Sequence, residues 1–190
     1  MSYLTETELQ SIGFKRLGSH VKISSKTSIY NPELIEIGDY SRVDDFCVLS
    51  GLISIGRNVH IAPQCLVAGG ALGITFSDFS GLAYQVKVFT QSDDYSGGTL
   101  TNPTVPARYK LESKKEIFIG RHVIVGAASI IFPGVVLADG CSVGALSLVN
   151  KSTDPWGVYV GNPAKRIKDR KRDLLLLEKE YLNNLIHDSI

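Results

Sequence analysis

From Ile119 the chain divides into hexads, IGRHVI, VGAASI, IFPGVV, LADGCS and VGALSL, each opening on a bulky apolar residue. The series is Ile119, Val125, Ile131, Leu137, Val143 and Val149, and four places after its members come Val123, Ser129, Val135, Cys141 and Ser147. The same register runs through Ile37, Val43, Leu49, Ile55, Ile61 and Val67. Shorter runs cover Leu17, Ile23 and Ile29 at the start, and Phe76, Leu82 and Val88 further on. A period of six fits neither a helix nor an amphipathic strand. It predicts an all-β solenoid in which each hexad gives one short strand and a bend, and three hexads close a triangular coil. The first place points into the prism, and the fifth fits a smaller side chain beside it. Gly or Ala recurs at the second place (Gly38, Gly56, Ala62, Gly120, Gly126, Ala138, Gly144), where the bend is crowded. Stacked coils then pair as a parallel ladder about 4.8 Å apart. Cys47 and Cys65 are 18 residues apart, one full coil, and both take the fifth place. They are expected to stack as small core residues rather than to serve redox chemistry.

The breaks in register carry information too. Two residues are inserted around Asn31-Pro32 and three around Gly69-Gly73. Between Val88 and Ile119 the phase is lost, and residues 90–116 are expected to form a long irregular loop. Its Asp, Tyr, Asn and Thr content suits a polyol, with Asp93, Asp94, Tyr95 and Asn102 as candidate substrate contacts. Thr5 and Glu8 form a capping box, and Gly13 a stop, for a short N-terminal helix. LLLLEKEYLNNLI predicts an amphipathic C-terminal helix. The expected layout is a single domain: a helical cap over 1–16, the solenoid over 17–150 with the 90–116 loop, and a tail with its helix over 151–190.

Composition narrows the class. The chain has 190 residues, 44% of them hydrophobic, enough for one buried core. Its net charge of +1 argues against a nucleic-acid binder, whose affinity rests on phosphate neutralisation. MSYLTETELQ lacks the apolar run of a signal peptide, and no stretch is apolar enough to span a membrane. Three scattered cysteines without a CxxC pair fit a reducing compartment, so a cytoplasmic protein is expected.

Hexads followed by GNPAKRI resemble the bacterial hexapeptide-repeat acetyltransferases over about residues 3–172. The most specific stretches are IGRHVIVGAASIIFPGVVLADGCSVGALSLVNK and GNPAKRI itself. GLISIGRNVHIAPQC and SDDYSGGTLTNPTVP look like the galactoside O-acetyltransferase-like sugar O-acetyltransferases of surface-polysaccharide gene clusters. The resemblance implies a left-handed parallel β-helix, a homotrimer, and acetyl-CoA as co-substrate in a cleft between two subunits, with no metal required. It implies cofactor contacts at Ala127, Ala145, Asn150, Lys151, Lys165 and Lys168. Small residues at Ala127 and Ala145 suit a slim pantetheine arm, and the lysines suit phosphate groups.

The base is where this chain departs from the family. Many relatives carry a Thr-x-x-His arrangement early in the long loop, but here the stretch is Thr90-Gln91-Ser92-Asp93. Acylating a hydroxyl benefits from a general base, usually His. His60, at a bend, and His122, outward beside the late coils, are the candidates; His20 and His187 are poorly placed. Asp93 and Asp94 are alternative bases or sugar anchors, and Tyr95 could stack on a pyranose. The primary expectation is acetyl transfer to a sugar hydroxyl. N-acetylation of an amino sugar nucleotide is the leading enzymatic alternative, because an amine needs less help from a base. A non-catalytic trimeric scaffold is a further alternative. A γ-type carbonic anhydrase would need three histidines converging on zinc, and these four include no close pair.

Overall fold

A computed structural model gives the structure of residues 2–187. The chain winds into a left-handed triangular parallel β-helix. Every first-place residue from Ile37 to Val149 in the three main runs is buried. Leu17 and Ile29, in the opening coil, are only partly covered. α1 (Glu6–Ser11) lies over that open end, its capping box formed as the sequence predicts, with Leu4, Leu9, Ile12 and Phe14 packed on the core.

One face is an 8-stranded sheet whose strands stack in register from coil to coil. Lys22, Arg42, His60, Gly81, Ile124, Ser142 and Val158 form its outward column. The other two faces merge into one 10-stranded sheet, because Val48–Ile55 and Leu66–Phe76 run unbroken around the edge between them. Strands at that edge are longer than a hexad supplies. The residue two places before the first therefore also points inward, and Ile35, Ile53, Ile74 and Ile117 join the core. At the second place the packing is unforgiving. A Cβ on Gly38 would lie 2.6 Å from the Gly56 backbone of the next coil. Cys47 and Cys65 are free, buried and stacked, their thiols donating to Ala62 O and Ala83 O at 3.1 Å each.

Two edges turn through left-handed residues, most of them not glycine. Along the first stand His20, Tyr40, Asn58, Phe79, His122, Gly140 and Trp156. Left-handed backbone costs a non-glycine residue about 1–2 kcal/mol. Ring stacking between coils offsets part of it, with His20 on Tyr40 at 4.8 Å and Phe79 on His122 at 5.3 Å. α2 (Leu174–His187) docks along this edge.

The third edge takes every insertion: the 3-10 turn Pro32–Leu34, the Gly69–Gly73 excursion, and the segment after Phe89. That last segment corrects the expectation of an irregular loop. Gln91–Asp93 pairs antiparallel with Glu112–Lys114, and a 3-10 turn, Ala107–Tyr109, lies between them. Residues twenty apart make this β-arm, and no local alternation announces it. The solenoid also continues past residue 150. Gly157–Val160 adds a further parallel strand, and Lys165–Asp169 folds back on it antiparallel, ending the sheet.

Candidate active site

Gly81 leaves a gap in the outward column of the 8-stranded face. Its neighbours in register are His60 on one coil and Ile124 on the next. The gap opens a groove of about 310 Å³, lined by His60, Gly81, Ala83, His122, Ile124 and Arg170 among others.

The His60 ring is half-exposed above it, and Nε2 lies 2.8 Å from Asp44 Oδ2. Asp44 is itself buried and bound by both Arg42 Nε at 2.7 Å and Nη2 at 2.8 Å. Tyr3 donates its hydroxyl to the other carboxylate oxygen at 3.2 Å. Burial alone would push the Asp44 carboxyl up, but the hydrogen bonds from Arg42 and His60 outweigh it and hold the group below the usual carboxylate range.

His122 is not the free outward ring the sequence suggests. It is buried under α2, stacked on Phe79, with Nε2 2.8 Å from Glu178 Oε2. Glu178 also binds Arg121, which reaches on to Asp78. Burial, with Arg121 and Arg170 nearby, holds the ring below the usual histidine range. A carboxylate only accepts, so Nε2–H donates to Glu178, and Arg170 caps the His122 carbonyl at 2.6 Å. This cluster fixes α2 to the prism.

In the arm, Asp93, Asp94 and Tyr95 border a second cavity of about 360 Å³ with Leu111, Glu112 and Ser113. Asp94 is engaged by its own loop: Oδ1 accepts from Ser96 N at 2.9 Å and Oδ2 from the Thr99 hydroxyl at 3.2 Å. Those Ser96 bonds, with Thr99, hold its carboxyl below the usual range. Among the described residues the Asp93 side chain accepts one long bond, to Oδ2 from Asn102 N at 3.3 Å. Asn102 is a left-handed turn residue whose Oδ1 is taken by Thr104. Tyr95 is almost wholly exposed.

The late-coil residues divide between edges. Ala127 and Ala145 stack on the edge between the 8-stranded face and the strand Ile130–Ile131, beside exposed Phe46, Tyr84 and Leu146. Asn150 and Lys151 fall on the arm's edge, and Lys165 and Lys168 on the exposed last strand. The groove and the arm do not meet within one chain, for the arm leaves from the edge opposite the 8-stranded face.

Sequence reading missed Asp44, Gly81 and Glu178. Asp44 carried a weak signal, since it occupies the second place of its hexad, which Gly or Ala takes in the next four coils of the same face (Ala62, Ala83, Gly126, Gly144) and Ser24 in the coil before. Among the described residues no group of three or more His, Cys, Asp or Glu is arranged to hold a metal ion. Nor, among the described residues, is any helix long and apolar enough to cross a membrane.

The chain is thus a parallel β-helix that carries an inserted arm and a line of small residues, Ala127 and Ala145, along one edge. No family model matches the chain. It is, however, 40% identical over 193 aligned positions, the full length of both proteins, to the dTDP-4-amino-4,6-dideoxy-D-glucose acyltransferase of Escherichia coli. A solved structure of AntD, an N-acyltransferase from Bacillus cereus in complex with dTDP and 3-hydroxybutyryl-CoA, is 45% identical. The match spans 97% of this chain and 98% of that one, with a TM-score of 0.96. The putative lipopolysaccharide biosynthesis O-acetyl transferase WbbJ of Escherichia coli K12 is 26% identical, over 77% of this chain and 66% of its own. The chain belongs to the hexapeptide-repeat acyltransferase family and is an acyltransferase that uses CoA thioesters as donors.

Proposed function

We propose that the protein transfers an acyl group from acyl-CoA, in the first instance acetyl-CoA, to the amino group of a dTDP-linked amino-dideoxyhexose. The observation that carries this reading is full-length identity of 40% and 45% to two acyltransferases, one named for such a sugar and the other for N-acylation. It replaces the hydroxyl acceptor that the loop composition and the O-acetyltransferase resemblance favoured. The chemistry agrees. An amine brings its own lone pair, so an arm with Asp93 in place of the family's His still has a use: a carboxylate attracts the acceptor's ammonium and orients its N–H bonds.

In the reaction, the nitrogen attacks the thioester carbonyl, the C–N bond forms and the C–S bond breaks. One N–H proton passes to His60, and a proton returns to the departing CoA thiolate. His60 is preferred to His122, whose ring is already committed to Glu178. Asp93 meets the amine, Asp94 and Asn102 shape the arm, and Tyr95 covers the sugar. Ala127 and Ala145 pass the pantetheine, with Asn150, Lys151, Lys165 and Lys168 toward the nucleotide end. Groove and arm come together between subunits of a homotrimer. The CoA donor makes the cytoplasm the site of reaction, upstream of glycan assembly.

The test offers acetyl-CoA with dTDP-4-amino-4,6-dideoxyglucose and, separately, with dTDP-6-deoxyglucose, and follows free thiol. The amine should turn over at least about 100-fold faster, the hydroxyl lacking a pre-formed nucleophile. Faster turnover of the hydroxyl sugar restores the O-acetyl reading. Acetyl-CoA binding without turnover of either sugar, or of other amino sugar nucleotides, points to the scaffold.

A further inference from the structure

The least exposed charge beside the groove belongs to a residue that does not face it. The Asp44 side chain is 1% exposed, at a place of the hexad that the same face fills with Ala62, Ala83, Gly126 and Gly144 in the coils that follow. A buried carboxylate is costly unless fully bonded, and Arg42 satisfies that need alone, through two parallel N–H bonds. The contact from His60 is therefore surplus to neutralising Asp44. Tyr3 braces the carboxylate from the far side. The segment bearing Tyr3 is itself pinned, with Leu4 N donating to Ile23 O at 2.9 Å and Ser25 N to Ser2 O at 3.0 Å. Three elements thus converge on a carboxylate whose remaining bond goes to the one half-exposed histidine of the groove.

A carboxylate only accepts, so a neutral His60 gives it the Nε2 proton, and the Nδ1 lone pair is left unprotonated. We propose that Asp44 is a positioning residue: it fixes His60 in the Nε2–H tautomer and in the orientation that accepts the acceptor amine's proton in the groove over Gly81. The inference rests on the N-acyl reading above. When nitrogen bonds to the thioester carbon it carries an excess proton. Nδ1 takes that proton, the imidazolium is stabilised by Asp44, and the proton then passes to the CoA thiolate as the C–S bond breaks. Atoms and charge balance with amine and acyl-CoA as the only reactants. The gap at Gly81 leaves the space in front of His60 open, since a Cβ there would meet His60 O at 3.2 Å.

Two measurements test the role of Asp44. In a double-mutant cycle, Asp44→Asn should lower kcat for the amino sugar nucleotide about 10- to 100-fold with KM for acyl-CoA unchanged. In the His60→Ala background the same substitution should change kcat less than about twofold, since the partner it acts through is gone. A purely structural Asp44 lowers both backgrounds alike, and that result overturns the proposal. The second measurement needs no variant and covers the case in which Asp44→Asn does not fold. Nitrogen-15 spectra of the histidine-labelled wild type at pH 8 should show His60 as the Nε2–H tautomer. An Nδ1–H or protonated ring would overturn the proposal. Failure of the N-acyl reading is separate: it would show as wild-type preference for the hydroxyl sugar, whatever the tautomer.

Discussion

Asp93 and Asp94 are adjacent in sequence and differ in what their oxygens already do. Both Asp94 oxygens hold the Ser96–Thr99 turn, whereas Asp93 has one long bond from Asn102 N. A carboxylate already closing a loop is poorly placed to meet a substrate ammonium, so the two substitutions should separate. Asp93→Asn should lower kcat/KM for the amino sugar nucleotide on the order of 10- to 100-fold, removing a charge-assisted contact to the reacting nitrogen. Asp94→Asn acts through the turn and should cost no more than about threefold, mostly in KM. Steady-state kinetics on the two variants decides it, and equal losses would refute the division. Sequence reading could not draw this distinction. It saw two acids in a polar stretch, and the bonds that consume one of them close only when the arm folds. Asp44 was missed for a different reason: the second place holds Ser, Tyr, Phe and Asn as well as Gly and Ala along the chain, so an acid there did not stand out until Arg42, Tyr3 and His60 were seen to meet it.

Elements were legible in proportion to how locally their faces are set. Each coil buries its own first and fifth places, so Ile131, Leu137 and Cys141 could be assigned to the core from spacing. The α2 residues that face the prism, Leu174, Glu178, Leu182 and Leu185, keep helical spacing, so the helix was legible as well. What α2 covers was not, because His122 and Glu178 lie 56 residues apart and only the docked helix reveals their bond. The strands at residues 157–169 escaped notice because they abandon the hexad. Docking supplies the next expectation. Glu178 bonds Arg121 and His122 in a site where both its side chain and the imidazole are about one-tenth exposed. Tyr181 adds a hydrogen bond from Asn58 at 3.0 Å and an edge contact on Phe79. Glu178→Ala strands the imidazole N–H and an arginine donor in a half-dry pocket and should cost about 1–3 kcal/mol. Urea unfolding reads the loss, and a change below about 0.5 kcal/mol would mean that α2 is held by its leucines alone.

At the scale of the whole molecule, the solenoid keeps apart the two features that the proposed reaction brings together. His60 belongs to the 8-stranded face, and the arm with Asp93 leaves from the edge opposite it. A rigid ladder of stacked coils cannot fold that edge around to its own far face. In the proposed assembly another copy delivers the arm to the groove, and the apolar residues exposed along the neighbouring edge, Phe46, Tyr84 and Leu146, suit such a contact. In the proposed homotrimer, closed threefold symmetry sets each arm against the next subunit's groove. The arrangement predicts complementation. His60→Ala and Asp93→Asn variants, each nearly inactive alone, should regain activity when co-expressed as mixed trimers. An active interface needs the groove of an Asp93→Asn subunit and the arm of a His60→Ala subunit, so each mixed trimer has one intact interface of three and should show about one third of wild-type turnover. Tagging the two variants differently and purifying through both tags isolates the mixed trimers for assay. Mixed trimers no more active than the parents would place both residues in one subunit's site, or only one of them in the reaction.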